Sequence, residues 1–298
     1  MIKKKIRLIT MKNQQRQTLK HFEKNAKSWF KQSLNKDKKN FNTIQQRNEY
    51  VLQFLKKNKK LSFLDIGCGP GNLVGSSSKF TKKSIGIDFS KEMIDIAKKN
   101  FSNKKTFFYC SSIFNFDNLE KFDVISANGF IEYISINDLK NFLIIVRKKL
   151  NRGGHLIFSS RNRLYNLFSL NDFTKTEISK GSINHIINES ILLNNLDIKK
   201  FIKIKTNLPI SERKQPLTSS IKVNVRNQFT PLQLISLLKK FNFKTLDLKS
   251  INYHPVTPNI FNKNKKKISV VSNSLNNQYE NLSLIPCSST FMVIAKCT

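Results

Sequence analysis

Cysteine, glycine, proline and acidic residues are all scarce in this chain of 298 residues, and each shortage removes a class of protein. The four cysteines, Cys68, Cys110, Cys287 and Cys297, form no CxxC pair and share no metal-ligand spacing with the four histidines. That excludes a disulfide framework, indicates no metal, and fits scattered thiols in a reducing cytoplasm. Nine glycines and seven prolines are too few for a collagen-like or Gly/Pro low-complexity chain. No apolar run approaches the roughly 18 residues of a membrane span. The apolar stretch within Met1–Thr10 is too short for a signal peptide. What remains is 39% hydrophobic and 24% charged, the profile of a soluble globular protein, long enough for one large α/β domain or two small ones.

The shortage of acid has the largest consequence. Only 19 acidic residues face 53 basic ones, for a formal charge of +34. Lys outnumbers Arg 44 to 9 and Asn reaches 35, the bias that an AT-rich coding sequence produces without selection for binding. Arg, the residue suited to bidentate phosphate contacts, is the scarce one. The excess is uneven: residues 1–60 carry a net +15, residues 61–160 only +5, and the remainder +14. Two readings stay open, compositional drift and a basic surface that meets an anionic partner.

Along the chain, residues 1–17 read as a basic, disordered tail, with Met1 and Met11 both available as starts. From about Lys20 to Lys59 the apolar spacing is helical. Phe22, Ala26, Trp29 and Phe30 share one face, and Tyr50, Val51, Phe54 and Leu55 repeat the pattern. Two helices therefore precede the first strand, Leu61–Gly67. Strand and helix then alternate, with strands at Lys83–Asp88, Thr106–Cys110, Phe122–Ala127 and His155–Ser160 and a helix over Ile136–Leu150. Such alternation predicts an α/β fold with a doubly wound, mostly parallel sheet. Residues 161–229 break the rhythm with at least one helix and no βαβ unit. It resumes at Thr230, where Thr, Pro and Gln can form a capping box. Lys244–Tyr253 and Ser289–Lys296 read as the last strands, and residues 254–288 between them as a polar loop.

The segment Leu64-Asp65-Ile66-Gly67-Cys68-Gly69-Pro70-Gly71-Asn72 carries the chemistry. A strand that runs into G-x-G-x-G leaves no Cβ where a ligand must touch backbone, and opens helix N–H groups toward it. Asp88 ends the second strand about 20 residues on, where a carboxylate accepts both hydrogen bonds of a ribose diol. The third glycine falls two residues after the second, which departs from the G-x-G-x-x-G dinucleotide fingerprint.

LDIGCGPG resembles the first motif of the class I S-adenosylmethionine-dependent methyltransferases, a seven-stranded family, and GIDFSKEMIDIAKK (Gly86–Lys99) resembles their second. FDVISANGFIEYI (Phe122–Ile134) is similar to the fourth-strand motif, and LNRGGHLIFSS (Leu150–Ser160) to the turn into strand five. Within the family the chain looks most like the small-molecule enzymes of the ubiquinone and menaquinone type. The resemblance implies a seven-stranded sheet in one methyltransferase domain over residues 18–298. Its parts are a helical cap (18–60), a cofactor-binding core (61–160), a substrate-side insert (161–229) and the C-terminal part of the sheet (230–298).

The same resemblance implies S-adenosylmethionine as cofactor. It sets Gly67, Gly69 and Gly71, with Cys68 between them, against the methionine part. Asp65 would orient that loop and the cofactor's amino group. Asp88 would hold the ribose hydroxyls, and Phe89 would lie along the adenine. Ser111 and Ser112 stand where the family often has an acidic residue for the adenine amino group, and Asn128 ends the fourth strand beside the cofactor. Phe130, Ser160 and Arg161 fall at strand ends where the acceptor is expected. Arg161 and Arg163, directly after strand five, read either as partners of an anionic acceptor or as part of a solvated loop. Tyr133 and His254 are the candidates for a catalytic group, while His155 and Cys68 read as packing residues and His185 as a surface residue.

An activated sulfonium methyl needs alignment more than covalent help, so a missing base is no argument against transfer. The expected reaction is in-line methyl transfer to a small molecule, most simply to oxygen. The alternatives are an RNA methyltransferase that uses the basic flanks as its substrate surface, and a cofactor-binding protein without transferase activity.

Overall fold

The computed structural model describes residues 13–34, 42–214, 221, 223–276 and 282–298. Two helices come first, α1 (Asn13–Leu34) and α2 (Thr43–Lys57). Since α1 begins at Asn13, the boundary expected after residue 17 falls inside a helix; residues 1–12 of the expected tail lie outside the described residues. α2 opens on a capping box. The Asn42 side chain accepts from the Gln45 N–H at 3.0 Å, and the Gln45 side chain accepts from the Asn42 N–H at 3.2 Å.

The core alternates as its pattern requires: β1 (Leu61–Ile66), α3 (Asn72–Ser77), β2 (Thr81–Asp88), α4 (Lys91–Phe101), β3 (Thr106–Cys110), β4 (Phe122–Ala127), α5 (Ile136–Lys149) and β5 (Leu150–Arg161). β5 starts earlier than predicted, so Gly153 and Gly154 lie within it rather than before it. Four helices follow, α6 (Tyr165–Ser169), α7 (Asp172–Ser179), α8 (Ile183–Asn195) and α9 (Ile198–Phe201). The chain then returns to the sheet through α10 (Pro231–Lys240) and β6 (Phe243–Tyr253), and β7 (Ser288–Cys297) completes it. Thr230 caps α10 with Pro231 at its first position and Gln233 as its reciprocal partner.

The sheet runs β3-β2-β1-β4-β5-β7-β6. The first five strands pair in parallel, while β7 lies antiparallel between β5 and β6. Neighbouring residues of β1 serve opposite faces, as the two-residue period of a strand dictates. Leu64 and Ile66 pack with Phe142 and Val146 of α5, and Phe63 packs with Tyr50, Val51 and Leu55 of α2.

The polar loop expected over 254–288 is instead largely helical, with α11 (Pro258–Lys263) and α12 (Lys265–Asn276). Thr257 and Pro258 start the first of these, a proline at the helix start being preset for it. The second is tied to β6 by a hydroxyl: Ser272 is 6% exposed and donates to the Tyr253 carbonyl at 2.6 Å, while Val270 and Val271 face outward. An apolar stripe is the signal that periodicity detects, and here a serine makes the buried contact.

The insert is held by charge. Glu177 on α7 is fully buried and receives Arg163 through Nε at 3.1 Å and Nη2 at 2.8 Å, Asn166 at 2.8 Å, the Ser182 hydroxyl at 2.5 Å, and Arg213. Arg163 is therefore spent on structure and is not available to an anionic acceptor, as one of the two sequence readings had it. Among the described residues, no helix is long and apolar enough to cross a membrane.

Candidate functional site

The strand order reverses at β1, which puts a ligand crevice beyond the C-terminal ends of β1 and β4. A cavity of about 200 Å³ lies there, walled by the loop after β1, the ends of β2 and β4, and the helices α1 and α2.

The loop is built for it. Gly67, Gly69 and Gly71 have φ of 70°, 51° and 85°, a region that side-chain-bearing residues rarely adopt. Gly67 and Cys68 donate their N–H groups to the Ile87 carbonyl at 2.8 and 3.0 Å, locking the loop to the end of β2. A Cβ at Gly69 would meet nothing within 4 Å, which marks the open side of the loop. A Cβ at Gly71 would sit 2.7 Å from Ala97 Cβ and 2.8 Å from the Phe108 ring, so this glycine seats the loop on α4 and β3. Gly71 itself does not line the cavity.

Two carboxylates flank the loop. Asp88 accepts from the Gly69 N–H at 3.0 Å and from the Ser90 N–H at 2.8 Å, which fixes its orientation at the end of β2. Asp65 lies beneath, 3% exposed, and accepts from the Ser126 hydroxyl at 2.5 Å. Burial, reinforced by the charge of Asp88 and opposed by the Ser126 hydrogen bond, pushes Asp65 up to about 7.

The remaining expected residues gather around them. Phe89, Ser111, Ser112, Asn128, Phe130 and Tyr133 all line the cavity. Ser111 is anchored by its N–H on the Asp88 carbonyl at 2.9 Å, and its hydroxyl donates to the Ser112 carbonyl at 3.0 Å. The Ser112 hydroxyl accepts from the Phe114 N–H at 3.3 Å. Asn128 is different: both polar atoms of its amide are buried and neither has a partner. Cys68 lines the cavity, but burial raises its thiol well above its ordinary range, so it packs rather than attacks.

Three expected residues are not brought to this wall. Ser160 is 1% exposed, and its hydroxyl donates to the Arg161 carbonyl at 2.9 Å. His254 stacks on Tyr165 with ring centroids 4.9 Å apart and touches Asn252 at 3.1 Å, away from the cavity. Burial, helped by the charge of Arg161, lowers its pKa to about 4. Arg161 does not line the cavity either, yet it bears electrostatically on Glu132 and Tyr133, which do.

A cluster that sequence reading missed lines the same cavity as the glycine loop. Glu132, 1% exposed, meets Arg226 Nη2 at 3.4 Å, and the Arg226 guanidinium lies over the Tyr133 ring at 5.4 Å. Tyr133 also packs edge-on against Phe22 of α1, centroids 5.4 Å apart. Arg47 of α2 reaches Thr290 at 3.3 Å and occupies the space beside Gly129. Although burial opposes ionisation of Glu132, Arg226, Arg47 and Arg161 outweigh it and hold the carboxyl below its usual range. Burial and Glu132 push the Tyr133 phenol up to about 12. Glu132 and Tyr133 fall within a motif that was visible; Arg47 and Arg226 join them only through the fold.

Over residues 57–215 the chain matches a family model described as a methyltransferase domain. It is 34% identical over 105 residues to malonyl-acyl-carrier-protein O-methyltransferase of Bacillus anthracis, which covers 35% of this chain and 38% of that protein. It is 29% identical over 181 residues to ubiquinone biosynthesis O-methyltransferase of Histophilus somni, covering 54% of this chain and 69% of the relative. The first of these matches thus spans well under two thirds of the relative. Magnesium protoporphyrin IX methyltransferase from Synechocystis PCC 6803, solved with bound SAH, shares the fold at a TM-score of 0.56 and 11% identity, over 94% of this chain and 97% of that one.

Proposed function

Because the chain belongs to the methyltransferase-domain family, matched over residues 57–215, we propose that it moves the methyl group of S-adenosylmethionine to a small-molecule acceptor, most simply an oxygen nucleophile, by in-line displacement. One observation carries this reading: the buried, unpartnered Asn128 amide on a wall shared with the glycine loop and Asp88. A buried amide without partners is costly, and a ligand bearing both donors and acceptors relieves it. The residues fit S-adenosylmethionine. Asp88 holds the ribose hydroxyls, Phe89 the adenine face, Ser111 and Ser112 the adenine edge, and Gly67 and Gly69 the methionine part. Asp65 takes the amino group. When bound, the cofactor supplies a methyl already activated by its sulfonium.

The chain's own work is to align the acceptor and exclude water. α1 supplies the cover. Its Ser33 hydroxyl donates to the Asn72 side chain at 2.8 Å, and near its start the Gln14 side chain donates to the Val225 carbonyl at 2.7 Å. A wall closed in this way supports a small acceptor over a polynucleotide strand. Glu132 is held ionised and Tyr133 protonated at neutral pH, so neither acts as a strong base there. An acceptor oxygen of low pKa suits such a wall.

The reading is tested by incubating the protein with methyl-labelled S-adenosylmethionine and a cell extract, then sorting the product into small molecules, lipid and RNA. Label is expected among the small molecules; label confined to RNA, or none, would sink it. The site also sets a pH dependence. Asp65 is raised to about 7, so below that pH the protein without ligand keeps it protonated and a cationic amino group gains little from it. Binding of S-adenosylhomocysteine, measured by calorimetry, is expected to tighten as pH rises from about 5 to about 7, with a proton released. Asp65→Asn is expected to flatten that slope and to weaken binding by about tenfold at the upper end.

A further inference from the structure

On the premise that this chain methylates small molecules, we propose that its acceptor is an anion, a carboxylate or phosphate on an apolar body, whose charge is held by Arg226 with Arg47 and Arg161 beside it. The chain shows how it treats arginines that are purely structural. Arg163 and Arg213 converge on one fully buried Glu177, whose oxygens are further met by Asn166 and Ser182. In that network the chain meets both carboxylate oxygens of Glu177, and the one atom left over is Arg213 Nε.

The second arginine group is not so matched. Arg47, Arg161 and Arg226 share one carboxylate, Glu132, which leaves the cluster with two positive charges in excess, although Arg161 itself does not line the cavity. The Nε atoms of Arg47 and Arg226 are buried without a partner, and so is Glu132 Oε2. Arg47, Arg226 and Glu132 all line the cavity. Buried charge in excess is expensive unless a counter-ion meets it, and a guanidinium edge suits a carboxylate or phosphate. The crowding registers on Arg161, which burial and the charge of Arg226 bring down to about 10.

The rest of the wall describes the body of the ligand. Phe22 and Trp29 of α1 lie with ring centroids 5.5 Å apart, and both line the cavity with Tyr133. Arg226 comes from the end of the insert and lies over the Tyr133 ring. An apolar body between α1 and Tyr133 therefore brings its anionic end to Arg226.

The test uses the full chain saturated with S-adenosylhomocysteine and three probes: benzoate, phenyl phosphate and neutral benzamide. Calorimetry is expected to show binding of at least one of the anions and none of benzamide, and Arg226→Met is expected to weaken the anion by about tenfold or more. The tighter of the two anions tells carboxylate from phosphate. Benzamide binding as well as benzoate, or an Arg226→Met protein that holds the anion like the parent, overturns the proposal. So does a loss of S-adenosylhomocysteine affinity in Arg226→Met with anion binding intact, since Arg226 would then serve the cofactor. Failure of the parent protein to bind S-adenosylhomocysteine at all would instead overturn the methyl-transfer reading. If Arg226→Met does not fold, Arg226→Lys keeps the charge but loses the fork, and is expected to lose most of the same affinity.

Discussion

Asp88→Ala is expected to weaken S-adenosylhomocysteine binding by at least about a hundredfold in isothermal titration calorimetry. The size follows from what the carboxylate would do. Two hydrogen bonds from a ribose diol to a charged acceptor contribute about 1.5–3 kcal/mol each. The substitution also frees the Gly69 and Ser90 N–H groups that Asp88 now receives, and Ser90 is fully buried. The loop loses its register with β2 at the same time as the ligand loses its partner. Asp88→Asn separates these effects, because an amide keeps an acceptor for one backbone N–H but not the charge. It is expected to fall between the parent and the alanine variant, with a thermal melt close to that of the parent. An affinity for Asp88→Ala within about threefold of the parent would remove Asp88 from the site.

Glu177→Ala is expected to destabilise the protein by about 3–5 kcal/mol, because it strands Arg163 and Arg213 as buried charges without a counter-ion. Both arginine side chains are nearly inaccessible, 5% and 4% exposed, so water cannot take over. In a chain of this size the loss corresponds to a fall in Tm of roughly 10 °C. Glu177→Gln should retain part of the hydrogen bonding and lose less. The carboxyl is held down to about 2 despite its burial, chiefly by the Arg163 hydrogen bonds and the charge of Arg213. A depressed acid stabilises the fold above its unfolded pKa, about 4.3 for Glu. This contribution is therefore complete at neutral pH and disappears as pH falls from about 4 toward about 2. Melts of the parent and Glu177→Gln across that window are expected to converge. Parallel curves would show that the network does not carry the insert.

Much of the fold and of the nucleotide end of the site was legible because both rest on local signals. A strand ending in Gly67, Gly69 and Gly71, then Asp88 at the next strand end, is a pattern carried by a few adjacent residues, and the parallel sheet follows from alternation. What escaped depends on distance along the chain or on contacts with no period. α12 is docked by a buried serine, Ser272, which interrupts the apolar face between Ile268 and Leu275. Arg163 lies two residues after Arg161 and looked equivalent, yet only Arg163 turns to Glu177. Arg47, Glu132 and Arg226 come from three separate parts of the chain, and nothing in the spacing says that they meet. Arg is scarce among the basic residues, and five of the nine, Arg47, Arg161, Arg163, Arg213 and Arg226, stand in the two buried clusters. The lysine excess carries the bulk charge; the arginines carry the design.

β7 is the last strand along the chain but lies between β5 and β6 in space. On a ribosome, β1 to β5 can pair as they emerge, while β6 has no neighbour until residues up to Cys297 are available. The nucleotide end of the molecule can thus assemble during synthesis. The side that meets Arg47 through Thr290, and that braces Asn162 through Ser288, must wait for β7 to enter between β5 and the edge strand β6. Translation order therefore separates the two halves of the site in time, and a stalled chain would have a nucleotide loop before it had an acceptor wall.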